Sequence, residues 1–270
     1  MSSVEHMVRL LSLFVDEPEL GVREMSRRLA LAKSSVHRMA CELARAEFLE
    51  QDPVTRRYRL GLRLLELGGL VQARNELTVV AEPVLKALMR TSGETTHLSV
   101  LDGLEIVYVA RIESNQSIRM FSRVGQRGPL YCTGSGKVVL AHQDPAFIDR
   151  VVAHGLHPYT PRTITDPAAL REHLRQVRTQ GYAVNEEERE LGVSSLAAPI
   201  HDAAGTVTAA ISIAGPAQRL TRERMRALID PLIRGAEHVS RQLGWRGPSS
   251  PAAPAGGSSA RPQAGLRGTP

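Results

Sequence analysis

The chain has 270 residues, 42% of them hydrophobic and 23% charged, with a formal net charge of +6 and two cysteines. Such a length and apolar content exclude a disordered chain and can fill two modest cores, while the absence of any run of about eighteen apolar residues and of a charged-then-apolar leader predicts a cytoplasmic protein with no membrane partner. Cys41 and Cys132 lie far apart and outside any zinc-finger spacing, so free thiols are expected and a disulfide scaffold is excluded.

The elements read as follows. Residues 4–15 are predicted to form an opening helix with Val4, Met7, Val8, Leu11 and Phe14 on one face. In the next stretch Val22, Met25 and Leu29 recur at helical intervals, and Val36, Met39, Ala40 and Leu43 do so again. Two short helices joined by a tight turn can cover each other's stripes. Residues 48–51 and 56–60 then read as two strands around an Asp52-Pro53 turn. Residues 62–72 form a linker helix carrying Gly68-Gly69 and a dimer contact, and 81–91 a further helix. Residues 95–100 and 105–111 form a hairpin at Asp102-Gly103. Further strands are predicted at 117–121, 182–186, 193–200 and 207–213, with helices at 135–141, 144–154, 168–180 and 221–243. The fold class is α+β: a winged helix-turn-helix over 1–61, a linker over 62–77, a second domain over 78–245, and a disordered tail rich in Pro, Gly, Ser and Ala over 246–270.

Charge is concentrated in the first of these. Residues 23–63 hold ten Lys or Arg against five acids, nearly the whole net charge of the chain. The second helix of the pair turns Lys33, Ser34, Ser35, His37, Arg38 and Arg45 away from its apolar stripe. Arg27 precedes it, and Arg56, Arg57 and Arg59 stand on the strand pair behind it. Cations, hydroxyls and helix-start amides in this order fit a major groove and its phosphates, so the expected partner is double-stranded DNA, bound with strong salt dependence. The bland alternative is a solvated helical hairpin; the wing and the charge weigh against it.

Lys33-Ser34-Ser35-Val36-His37-Arg38 with Tyr58-Arg59-Leu60-Gly61, Pro129-Leu130-Tyr131-Cys132-Thr133-Gly134-Ser135-Gly136-Lys137, Gly181-Tyr182-Ala183-Val184-Asn185-Glu186-Glu187-Glu188 and Ala209-Ala210-Ile211-Ser212-Ile213-Ala214-Gly215-Pro216 together resemble the IclR family of bacterial transcriptional regulators, over about 3–244. The resemblance implies a GAF/PAS-like effector-binding domain with a curved antiparallel sheet. It also implies a homodimer or homotetramer on a palindromic operator, repression of a metabolic operon, and a small carboxylate or aromatic acid as effector. Carried over motif by motif, the ligand-facing positions are Gly134, Ser135, Asn185, Val193, Ser195 and Ser212, with Met120 as an apolar wall. Asn185 stands where some relatives have an acid and Ala214 where some have serine, which implies a different ligand. Physically, backbone amides of Gly134-Ser135-Gly136 at a helix start suit a buried anion; the same glycines equally suit a tight turn.

Catalytic readings fare poorly. Gly136-Lys137 lacks the first glycine of a phosphate loop, where Tyr131 stands, and the Ser or Thr that would hold magnesium, where Val138 stands. Thr133 occupies the centre of a possible nucleophile elbow, and Cys132 reads as inert packing. The run Glu186-Glu187-Glu188 with Glu190 reads as a solvated loop, and a zinc site of His97, Cys132 and His201 has no ligand spacing behind it. No enzyme activity, cofactor or metal is expected. Two other classes stay open: an architectural DNA binder without an effector, and an enzyme with a DNA-binding appendage.

Overall fold

The computed structural model describes residues 2–73, 76–117 and 122–247, and the chain divides into two compact units, Met1–Val79 and Val80–Pro270. Each is described by itself. The expected strand at 117–121 and the wall residue Met120 lie outside the described residues, as does the tail from 248 onward.

In the first unit, α1 (Ser3–Ser12) starts on Ser2, whose hydroxyl accepts the Glu5 amide at 3.2 Å, and runs into a 3₁₀ turn, Leu13–Val15. Its buried face is the expected one in part: Met7, Leu11 and Phe14 are in the core, while Leu10 replaces Val4 and Val8 there. Leu10 and Phe14 are buried, with Met7 and Leu11 packed beside them, whereas Val4 and Val8 are 69% and 59% exposed. The 7, 10, 11, 14 and the 4, 7, 8, 11, 14 spacings are both helical stripes, and packing in the unit's core selects the first. The stripes of α2 (Val22–Leu29) and α3 (Lys33–Arg45) are as predicted: Met25, Leu29, Val36, Met39, Ala40 and Leu43 are all buried. Ala30 takes the left-handed conformation (φ +54°) to end α2, and Ser26 Oγ donates to the Leu31 carbonyl at 2.6 Å across the turn.

The wing is a hairpin of β1 (Leu49–Gln51) and β2 (Tyr58–Leu60), paired Leu49 with Leu60 and Gln51 with Tyr58. Tyr58 also exchanges two backbone hydrogen bonds with Leu20, pulling the wing onto the helices. At Gly61 a Cβ would sit 2.0 Å from the Glu47 carbonyl oxygen. Only glycine allows that approach. The following helix, α4 (Leu62–Ala73), passes through Gly68 and Gly69 without a break and exposes Leu62, Leu65, Leu70 and Val71.

The second unit is a six-stranded, wholly antiparallel sheet in the order β5-β4-β3-β8-β7-β6, flanked by helices. The strands are β3 (Thr95–Asp102), β4 (Glu105–Ile112), β5 (Arg127–Pro129), β6 (Ala183–Glu186), β7 (Val193–His201) and β8 (Val207–Pro216). β5 was not anticipated, because three residues containing Gly-Pro carry no alternation. The helices α5 (Glu76–Ser92), α6 (Gly134–Ala141), α7 (Pro145–His154), α8 (Pro167–Gln180) and α9 (Arg222–Gln242) fall within a few residues of expectation, except that α5 begins at Glu76 rather than near 81. Alternation along the strands separates two faces. Thr96 turns to α5, bonding the Leu85 carbonyl at 2.9 Å, and Ile211 meets α9 at Gly235. Ala197 and Ala210 face the other way, into the core built on α6 and α8 with Val138, Val139, Leu140, Leu170 and Leu174.

Candidate nucleic-acid interface and ligand cavity

On α3, Lys33, Ser34, His37 and Arg38 are exposed and Ser35 is half-buried; these follow from the positions left over once Val36, Met39, Ala40 and Leu43 take the core. The predicted cations divide in two. Among the described residues, Arg27, Lys33, Arg38 and Arg56 make no ion pair. Arg45, Arg57 and Arg59 are already held: Arg45 by Glu42 at 2.9 Å, Arg57 by the Glu19 carbonyl at 2.7 Å and by Glu24, and Arg59 by both oxygens of Glu50. The sequence offered a signal for two of these, since Glu42 is three residues before Arg45 on one helix and Glu50 faces Arg59 across the hairpin. Such exposed pairs add only about 0–1 kcal/mol to folding, and a phosphate has to displace the carboxylate before it gains these three arginines. Arg23, exposed and equally without an ion pair among the described residues, extends the free set.

Local chemistry aims the wing. Asp52 accepts the amides of Val54 and Thr55 at 2.8 and 2.7 Å, bonds that hold its carboxyl below the usual range. Arg56 sits at the tip with φ +58°, its amide on the Asp52 carbonyl. Behind α3, Cys41 Sγ lies 3.7 Å from His37 Nε2 and 3.8 Å from Tyr58 Oη. Burial, then this thiol, push the Tyr58 phenol up to about 12.

In the second unit the strand registers bring the other predicted set together. Asn185 pairs with Ser195 and Ser195 with Ala214; one step along, Ala197 pairs with Ser212 and Ser212 with His97. With alternation, these residues present one face to the start of α6. Gly134, Ser135, Asn185, Val193, Ser195 and Ser212 all line one cavity of about 90 Å³ there. Sequence reasoning missed His97, Tyr108, Ser122, Gln126, Thr133, Arg189 and Glu190, which share it. His97 joins them through its pairing with Ser212 across β3 and β8, a register that local spacing does not carry.

The helix start is partly spoken for. Thr133 Oγ1 accepts the Gly136 amide at 3.1 Å and donates to the Pro129 carbonyl, so the third of the expected amides is taken. Those of Gly134 and Ser135 have no acceptor among the described residues. Gly136 fulfils the packing role: a Cβ there would lie 2.6 Å from the Pro129 carbonyl and 2.7 Å from Leu130 Cα. Gly134 answers to the cavity, its Cβ position being 2.8 Å from Ser195 Oγ. Ser135 Oγ is buried with no partner among the described residues. Asn185 Oδ1 accepts the Glu188 amide at 2.9 Å, which leaves its NH₂ as the donor end. The Arg189 guanidinium rests 3.8 Å above the Tyr159 ring, a cation at the cavity mouth.

The acidic run is not a solvated loop. Glu186 is held by Arg222, Glu187 by Arg162 at 3.0 Å, and Glu188 is buried against the fully buried Lys137, whose Nζ also donates to the Val184 carbonyl at 2.7 Å. Burial lowers the Lys137 pKa and raises that of Glu188; each opposes the other's shift. His97, Cys132 and His201 are not gathered: His201 stacks on Trp245 at 4.3 Å, and among the described residues no three His, Cys, Asp or Glu form a metal-binding group. Burial pushes the Cys132 thiol up to about 12, which leaves it unreactive.

Comparison with known proteins follows the same division. A model of the IclR helix-turn-helix domain matches residues 3–53, and one of the bacterial transcriptional regulator IclR C-terminal domain matches 70–241. The HTH-type transcriptional regulator KdgR of Escherichia coli K12 is 36% identical, with 91% of this chain and 94% of that protein covered. The HTH-type transcriptional repressor AllR of Salmonella typhimurium is 35% identical over 84% of each. The crystal structure of an IclR homolog from Microbacterium hydrocarbonoxydans complexed with 4-hydroxybenzoate superposes with a TM-score of 0.79 at 30% identity, covering 90% of this chain and 99% of that one.

Proposed function

The chain belongs to the IclR family and is a DNA-binding transcriptional regulator, and from that premise we propose that it represses a metabolic operon and is switched by a small organic or aromatic acid held in the cavity at the start of α6. One observation carries the effector half: two helix-start amides unspent among the described residues, with the buried Ser135 hydroxyl likewise unpartnered beside them, border a cavity that none of the described residues fills. Unmet donors in a buried site cost stability unless a ligand answers them, and a carboxylate answers several at once. The co-crystallised 4-hydroxybenzoate of the Microbacterium homolog supports the same class of ligand.

The DNA half rests on Arg27, Lys33, Arg38 and Arg56, with Ser34, Ser35 and His37 between them. A homodimer or homotetramer on a palindromic operator is the assembly this surface calls for, and the exposed leucines of α4 supply an apolar row for it. Effector and operator are coupled by linkage: an acid that prefers one arrangement of the assembly shifts operator affinity in proportion to that preference. The reading includes no catalytic step and places the protein in the cytoplasm; none of the described helices is long and apolar enough to cross a membrane.

The test is selection of fragmented genomic DNA by the purified protein at two salt concentrations, followed by titration of the recovered site with acids. An enriched palindrome released by an acid is the expected result. Uniform, salt-sensitive recovery at both concentrations would replace this reading with an architectural DNA binder.

A further inference from the structure

The helix start accounts for a carboxylate, and beyond it one buried polar atom of the cavity stands without a partner among the described residues. His97 on β3 is 2% exposed and lines the cavity floor between Tyr108 and Ser212. Its Nε2 lies 2.5 Å from Ser122 Oγ, while its Nδ1 is buried and has no hydrogen-bond partner among the described residues. The Tyr108 ring, 5.0 Å away and tilted 54°, closes one side of the imidazole. A ring wanted only for packing is served better by Phe or Leu, because a buried nitrogen left without a partner is destabilising. Among the described residues that line this cavity, Ser135 and His97 are the two with such an atom. They approach it from different sides. Ser135 belongs to the helix start that sits over Ser195 on β7, and His97 stands two strands away, with β8 between. That is roughly 10 Å at the backbone, which inward-pointing side chains shorten to the length of a small molecule.

We propose that His97 is a specificity-determining residue of this cavity, hydrogen-bonding a hydroxyl or oxo oxygen that the effector carries in addition to its carboxylate. The chain then responds to oxygen-substituted acids and rejects their deoxy analogues. The inference rests on the acid-binding reading given above. Burial, with Arg111 nearby, pushes the imidazole down to about 3, so the ring is neutral at ordinary pH and offers one donor and one acceptor. When Ser122 donates to Nε2, Nδ1 carries the proton and suits either oxygen; in the other tautomer Nδ1 accepts, and suits a hydroxyl. A site built around such a bond discriminates strongly against a ligand that lacks it, because the buried partner is then left unmet.

Calorimetric titration of the full-length protein with three matched pairs tests this: glycolate and acetate, lactate and propionate, 4-hydroxybenzoate and benzoate. The wild type is expected to bind the oxygenated member of at least one pair ten times more tightly, or better. His97→Asn places an amide near the Nδ1 position and keeps a preference. His97→Gln places it near Nε2, retains the Ser122 contact, and loses the preference to within about twofold; operator binding by both ligand-free variants is unchanged and monitors folding. Acid binding with no preference in the wild type, or a full preference surviving in His97→Gln, overturns the role of His97 and leaves the acid pocket standing. No binding of any of the six acids overturns the pocket reading, and the inference with it.

Discussion

On α2, α3 and the wing, Arg27, Lys33, Arg38 and Arg56 hold their charges in water with no ion pair among the described residues; in the cavity, Ser135 and His97 hold atoms that, among the described residues, are unpartnered and away from water altogether. Both regions keep hydrogen-bonding capacity in reserve, at very different cost. Water satisfies an exposed guanidinium, so the recognition face adds almost nothing to the free energy of folding and its composition is free to be basic. A buried hydroxyl without a partner costs about 1–3 kcal/mol, so the cavity persists only because the surrounding sheet and α6 dictate it. The first region is accordingly suited to a repeating polyanion, the second to one small ligand of matching shape.

The strongest way to break the comparison is to collapse one region and examine the other. Gly61→Ala drives a Cβ into the Glu47 carbonyl and is expected to cost about 3 kcal/mol or more, abolishing operator binding; Gly136→Ala does the same to the start of α6 through the Pro129 carbonyl and Leu130. Differential scanning calorimetry should show each variant losing one transition and keeping the other. A joint loss in both variants would show that the units do not fold separately.

A smaller effect separates free cations from held ones. Arg38→Ala should weaken operator binding by about 1–3 kcal/mol, some tenfold to a hundredfold, and leave acid binding unchanged, whereas Arg59→Ala, whose guanidinium is already on Glu50, should cost threefold or less. Fluorescence anisotropy against salt checks both, and equal losses would erase the distinction drawn between the two sets. The smallest effect runs against intuition: Ser135→Ala should leave thermal stability unchanged or raise it by about 1 kcal/mol, while weakening acid binding several-fold. A destabilised Ser135→Ala would mean that the hydroxyl has a structural partner.

Much of this was legible in the sequence because burial and period go together. The α2–α3 pair, the wing and all but one strand of the larger sheet's described part follow from apolar spacing; the six cavity positions came instead from the motifs that carry the family resemblance, not from spacing. What escaped did so for physical reasons. On α1 two valines offered a second, equally periodic face, and only packing against α2 and α3 selects Leu10 over Val4. β5 is too short to alternate. His97 and Arg189 reach the cavity through strand register and loop path, neither of which is written in local spacing. The acidic run looked solvated because Lys137 is some fifty residues away in the chain.

That pairing of Lys137 with Glu188 has a consequence for how the sequence can change over time. Removing either partner alone strands a buried charge, at about 3–5 kcal/mol, while replacing both together with apolar residues of similar size is close to neutral. Single steps in either direction therefore lead downhill in fitness, and the pair behaves as a ratchet. Single changes are costly at these two positions even though neither lines the cavity, and the loop between Asn185 and Val193 takes its course from them. Variation in what this protein senses has to enter through the residues that line the cavity, not through the frame that holds them.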